Sequence, residues 1–168
     1  MMAGLMLDTK NFTMRTGGRT FEAAAMLRRA GGDTGEVRKI FQINLSDAVS
    51  KYGIIQTAKL YRQDIAIAAV NSTVGRVTAA QAADELLNIA GISASFVLYP
   101  DTDGRVILSA RSIGSTNVQV IVEALGGGGN AAAAGAQIPD RTVEEVRREL
   151  TAVLDSYFDS GKEAPKES

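Results

Sequence analysis

The chain has 168 residues, 45% of them hydrophobic and 22% charged, with a formal net charge of −1. That length bounds it to one ordinary domain, or one domain plus part of another, and the composition excludes global disorder and a basic field that would draw in nucleic acid. His and Cys are both absent, which excludes Ser-His-Asp and Cys-His catalysis, disulfides and imidazole metal ligands within the chain.

In chain order, Gly4 to Leu7 reads as a short buried strand that ends at Asp8. A carboxylate at a strand's C-terminal end is where open α/β sheets place site residues. A loop through Thr16 follows, then a helix from Thr20 to Arg29 stopped by Gly31-Gly32, and a short helix from Gly35 to Phe41. The character changes near Gln42 to Leu45, where the domain boundary is expected. Ser46 opens a long predicted helix to Arg62, on the spacing of Ile54, Ile55, Ala58 and Tyr61. Asp64 to Val70 is an apolar, β-branched run and reads as a buried strand, followed by a helix over Val77 to Ala90 that Gly91 ends.

Ile92 to Tyr99 and Arg105 to Ala110 read as two strands of a hairpin. Between them, Pro100-Asp101-Thr102-Asp103-Gly104 has turn chemistry, with Gly104 free to take a positive φ. Asn117 to Leu125 is a predicted helix. Ala131 to Ile138 is small and compact, and is expected to include an edge strand. Thr142 to Phe158 carries the stripe Val143, Val146, Leu150, Val153 and Leu154 of an amphipathic helix. The tail from Gly161 to Ser168 is polar. Aromatics are scarce and Trp is absent, so small aliphatic side chains must fill the core, as in α/β packing. No apolar run is long enough for a membrane span and no signal segment is visible. A cytoplasmic location fits.

Three features carry possible chemistry. Gly126-Gly127-Gly128-Gly129 leaves backbone amides unobstructed and can wrap an oxyanion; the alternative is a linker or helix cap. Neither the P-loop pattern nor the dinucleotide fingerprint surrounds it. Arg111, at the end of the second hairpin strand, can fork onto a phosphate, or form an ordinary rim ion pair. Asp8 can supply one hard oxygen ligand to Mg²⁺ or Mn²⁺, or cap a helix; one carboxylate does not build a two-metal site.

Taken together, these segments resemble a known family. Residues Ala3 to Phe12, then Arg15-Thr16-Gly17 and Arg19 to Ala24, are similar to the last characteristic stretch of a DHH phosphoesterase catalytic domain. Gly75-Arg76-Val77 with Ala79 to Leu87, Ser109-Ala110-Arg111-Ser112, Asn117-Val118, and the glycine run with Ala134-Gly135-Ala136 resemble a DHH-associated domain. Within that superfamily the bacterial cyclic-di-AMP phosphodiesterases are the nearest in pattern.

The resemblance implies an α/β fold: a remnant of the catalytic domain at 1–43, a DHH-associated domain with a mixed sheet flanked by helices at 44–160, and a flexible tail at 161–168. It also implies the substrate-gripping part of a Mn²⁺-dependent phosphodiesterase that opens a cyclic dinucleotide. Asp8 would be the final metal-ligand aspartate, Arg111 and Ser112 the substrate-contacting segment, and Gly126 to Gly129 the phosphate loop. The Asp-His-His motif is missing, so the chain is expected to lack most metal ligands, to be inactive alone and to need the missing N-terminal catalytic region. The family loop reads four glycines then His; here that position is Asn130, which can donate a hydrogen bond but carries no charge. The rival expectation is an oligonucleotide-binding module, since similar associated domains occur in exonucleases and alanyl-tRNA synthetases. A homodimer through an exposed sheet edge comes third.

Overall fold

The computed structural model describes residues 44–161, together with Glu22, Ala25, Met26 and Gly31. The chain divides into two compact units, Met1–Asn44 and Leu45–Ser168, and the elements below belong to the second. Asp8, the strand expected at 4–7, the helix expected at 35–41 and most of the one expected at 20–29 lie outside the described residues, as does the tail beyond Gly161.

The described unit is a six-stranded mixed sheet with helices on both faces. Helix α1 (Leu45–Gln56) is followed by β1 (Lys59–Tyr61) and β2 (Ile65–Ala69). Helix α2 (Arg76–Leu86) crosses over to β3 (Ala94–Pro100), which turns into β4 (Val106–Ser112). Then come α3 (Val118–Glu123), the two-residue β5 (Gly128–Gly129), β6 (Ala133–Ile138) and α4 (Val143–Asp159). The strand order is β1-β2-β3-β4-β6-β5. Only β2 and β3 run parallel, joined by the α2 crossover that parallel neighbours require. All other neighbours are antiparallel.

Period-two alternation sorts the strand residues onto two faces. One face sends Ile65, Ile67, Phe96, Leu98, Val106 and Leu108 against α3 and α4. The other sends Ala66, Ala68, Val97, Tyr99 and Ile107 against Ile54 of α1 and the alanines of α2. Ala79, Ala82 and Ala83 are fully buried, and their lack of bulk lets α2 lie close to the sheet. Helix α4 starts with a complete capping box. Thr142 accepts from the Glu145 amide at 3.2 Å, and the Glu145 carboxylate accepts from the Thr142 amide at 2.7 Å.

Two expectations need correction. The helix predicted from Ser46 to Arg62 ends at Gln56, and Lys59–Tyr61 forms an edge strand instead. Tyr61 bonds through its hydroxyl to Asp155, and Arg62, in the left-handed region at φ 54°, lies over the Phe158 ring at 4.5 Å. These contacts to α4 pull the segment out of the helix. The strand expected at the edge, β6, is interior: β4 pairs with it on one side and β5 on the other.

Candidate functional site

Helices α1 and α2 cover β2, β3 and part of β4 on their face; the β6–β5 part carries no helix there among the described residues. The register places cross-strand rows on this uncovered part. Gln137 pairs with Ile107, and Ile107 with Tyr99. Gly128 pairs with Gly135, and Gly135 with Ser109. Ala133 pairs with Arg111. The middle row is therefore nearly bare backbone. A shallow cleft of about 450 Å³ opens there, lined in part by Ser109, Gly126, Gly127, Gly135 and Gln137.

Arg111 stands at one end of that strip. Its Nε lies 3.2 Å from the Asp84 carboxylate of α2, and Nη1 donates to the Ala110 carbonyl at 2.9 Å. The guanidinium is thus held on the uncovered face without using all five of its donors. Ser112, one residue on, has the opposite parity. It is buried, its hydroxyl donates to the Ser93 carbonyl, and it accepts from the Gly114 amide, both at 3.3 Å. The structure does not bring the Arg111 and Ser112 side chains together, and the Ser112 hydroxyl is committed to closing the end of β4.

The glycine run separates into positions with different reasons for lacking a side chain. Gly126 takes φ 80° and turns the chain out of α3. At Gly127 a Cβ would stand 2.3 Å from the Gly135 carbonyl oxygen and 2.6 Å from a Val122 methyl. Gly129 takes φ 151°, and a Cβ would meet the Ala133 carbonyl oxygen at 2.4 Å. Gly128 is different. A Cβ there would meet nothing within 4 Å, and its φ lies outside the left-handed range. Backbone conformation or packing explains three of the four glycines and leaves Gly128, in the row of the bare strip, without an internal reason.

Asn130 closes the turn from β5 to β6. Its Oδ1 accepts from the amides of Ala132 and Ala133, both at 2.9 Å. The residue is exposed, and an amide whose oxygen is so engaged still has its NH₂ group to donate. Asn130 does not cap the helix ending near Leu125. Asn117 does the capping at the other end of that helix, with Oδ1 accepting from Gln119 and Val120 at 3.1 and 3.4 Å.

Sequence reasoning did not single out Ser109 or Gly135 as part of a site. Counting back by two from Arg111 along the strand would have found Ser109. Among the described residues no group of three or more acidic side chains stands together to hold a metal ion, so the described residues do not fit the Mn²⁺ site, and Asp8 lies outside them. No helix of the described residues is long and apolar enough to cross a membrane.

The DHHA1 domain model matches residues 62–160. A cyclic-di-AMP phosphodiesterase of Geobacillus thermodenitrificans is 44% identical over 164 residues, which is 96% of this chain and 25% of that protein. One from Listeria monocytogenes is 40% identical over 160 residues, 94% of this chain and 24% of that protein. The chain thus spans about a quarter of the length of these curated relatives. Among solved structures, an exopolyphosphatase-related protein from Bacteroides fragilis superposes with a TM-score of 0.82 at 22% identity, covering 95% of this chain and 49% of that chain. That likeness shows a shared fold.

Proposed function

The chain belongs to the DHHA1 domain family, and from that premise we propose that it is the substrate-gripping part of a cyclic-di-AMP phosphodiesterase. The strip made by Arg111, Ser109 and Gly128 would receive a phosphate of the cyclic dinucleotide or of its linear product. Arg111 supplies the charge. The glycine loop supplies backbone amides and close approach, and the free NH₂ of Asn130 supplies a neutral donor. One observation carries the reading: Gly128 lies in the row of Gly135 and Ser109, on the same face as Arg111 and two strands from it, with no packing or backbone reason to be glycine. A ligand approaching the backbone is such a reason.

Hydrolysis is assigned to the other part of the longer parent. The chain has no His and no Cys. Manganese would be held outside the described residues, with Asp8 as the one ligand contributed here. The chain alone then binds nucleotide without turning it over.

Calorimetry with the linear di-adenosine dinucleotide tests the binding. A charge-assisted contact is worth roughly 1.5–3 kcal/mol, so Arg111→Gln should weaken affinity by about ten-fold or more. Equal affinities would remove Arg111 from the site. Incubating cyclic-di-AMP with the chain and Mn²⁺ should yield no linear product; turnover that Asp8→Ala abolishes would contradict the division of labour.

A further inference from the structure

The cleft of the proposed nucleotide strip has a second end, away from Arg111. It lies at the N-terminus of α2, four residues back along β4 from Arg111, or about 13 Å at the rise of a strand. Arg76 and Tyr99 line the cleft there, with Ile107, Gln137 and the backbone of Gly126 and Gly127. Three observations converge on it. Arg76 is exposed and makes no ion pair or hydrogen bond among the described residues. Gly75, the N-cap of α2, has no side chain to satisfy the amides of the helix's first turn. Tyr99 is 1% exposed, and its hydroxyl has no hydrogen-bond partner among the described residues.

The Tyr99 hydroxyl is the informative group. Buried hydroxyls are nearly always bonded, so an orphan beside a cleft marks a missing partner. Burial raises its pKa, while the nearby Arg76 charge works in the opposite sense; at neutral pH the group is an O–H donor that wants an acceptor. The nearest carboxylate in play, Asp101, is engaged by Arg105 at 3.0 Å and by the amides of Asp103 and Arg105. A free cation, a helix N-terminus and an unanswered O–H donor together lack one thing, an oxyanion.

We propose that this cleft is a second anion subsite, taking a phosphate-class group on Arg76, the first-turn amides of α2 and the Tyr99 hydroxyl. It shares the glycine loop with the proposed nucleotide strip but not Arg111, so the Arg111→Gln protein separates the two readings. Nuclear magnetic resonance on the ¹⁵N-labelled full chain, titrated with inorganic phosphate, tests it. The account expects saturable shifts of the Val77, Gly126, Gly127 and Gln137 amides. Arg76→Gln should weaken that binding by about ten-fold, the scale of one charge-assisted contact. Tyr99→Phe keeps the ring and the packing, and should weaken binding several-fold with an unchanged melting temperature. Arg111→Gln should leave these shifts in place. Absence of saturable shifts, or equal affinity in wild type and Arg76→Gln, overturns the subsite; equal affinity in Tyr99→Phe removes the hydroxyl from it. Repeating the titration with the linear dinucleotide identifies the source: shifts at the same amides mean a nucleotide phosphate, and shifts with inorganic phosphate only mean a free anion.

Discussion

The two faces of the sheet are made from the same strands and differ in what covers them. On one, Phe96, Leu98, Val106 and Leu108 meet Val118, Ile121 and Val122 of α3 and Val146, Leu150 and Leu154 of α4, and this is the larger core. On the other, alanines dominate, α2 reaches as far as β4, where Asp84 pairs with Arg111, and Gly135 and Gly128 lie beyond it. Alternation along β4 thus turns Leu108 and Ala110 into the closed core and Ser109 and Arg111 to the other face. The two faces should answer to different measurements.

The largest contrast is in stability. Leu150→Ala removes a fully buried side chain from the closed face and should cost about 2–5 kcal/mol in denaturant unfolding. Ser109→Ala, on the open face, should stay within about 0.5 kcal/mol. A large loss from Ser109→Ala would mean that this face is packed after all.

Next come the glycines, where the contrast lies within one loop. Gly127→Ala must displace the Gly135 carbonyl and Val122, and Gly129→Ala must displace the Ala133 carbonyl from a left-handed backbone. Each should destabilise by about 1–3 kcal/mol or more. Thermal unfolding that ranks either of them with Gly128→Ala would break the distinction.

Asn130→Asp sharpens the comparison further. It keeps the Oδ1 acceptor that holds the turn and replaces the donor NH₂ with negative charge. Stability should change little. Nucleotide affinity should fall by several-fold, and more at low salt, where the repulsion is less screened. Unchanged affinity at low salt would mean that the loop does not present this side chain to phosphate.

The smallest effect belongs to α4, remote from the open face. Hydrogen bonds from Arg147, at 2.7 and 2.8 Å, bring the Glu144 pKa from 4.5 down to about 2, and the Thr142 amide and hydroxyl lower Glu145. A depressed carboxylate pKa contributes stability above the unfolded value, lost as pH falls through the folded one. Stability should therefore decline below about pH 4.5 toward pH 2, and Glu144→Gln should flatten part of that slope. Parallel pH profiles for the two proteins would contradict this.

Much of this was legible in the sequence, and the failures have physical causes. The hairpin over Pro100–Gly104 was readable because Gly104 takes φ 79° where a turn requires it. The α4 stripe was readable from its spacing, and Val143, Val146, Leu150 and Leu154 are all buried. Strand β1 was not, because Lys59-Leu60-Tyr61 continues a helical spacing and the break falls at Arg62, a non-glycine residue at positive φ. Strand β5 is two glycines, which no strand propensity would signal. Arg111 was expected at the end of the second hairpin strand, and it lies near the end of β4. Ser112 was carried along by adjacency, although parity turns it to the other side. Asn130 was expected as a neutral donor in the loop, and that expectation did not include the Asx-type turn it closes, because that depends on where β6 returns.

The most direct test of the central claim is the affinity of the Gly128→Ala protein for the linear di-adenosine dinucleotide, measured by calorimetry beside its melting temperature. The fold leaves room for the methyl group, so melting should be unchanged or slightly raised by the lost freedom of the unfolded chain. If the bare strip receives phosphate, the methyl stands where the ligand must approach, and affinity should fall by about ten-fold. Unchanged affinity in a normally folded Gly128→Ala protein would contradict the assignment of this face to nucleotide binding.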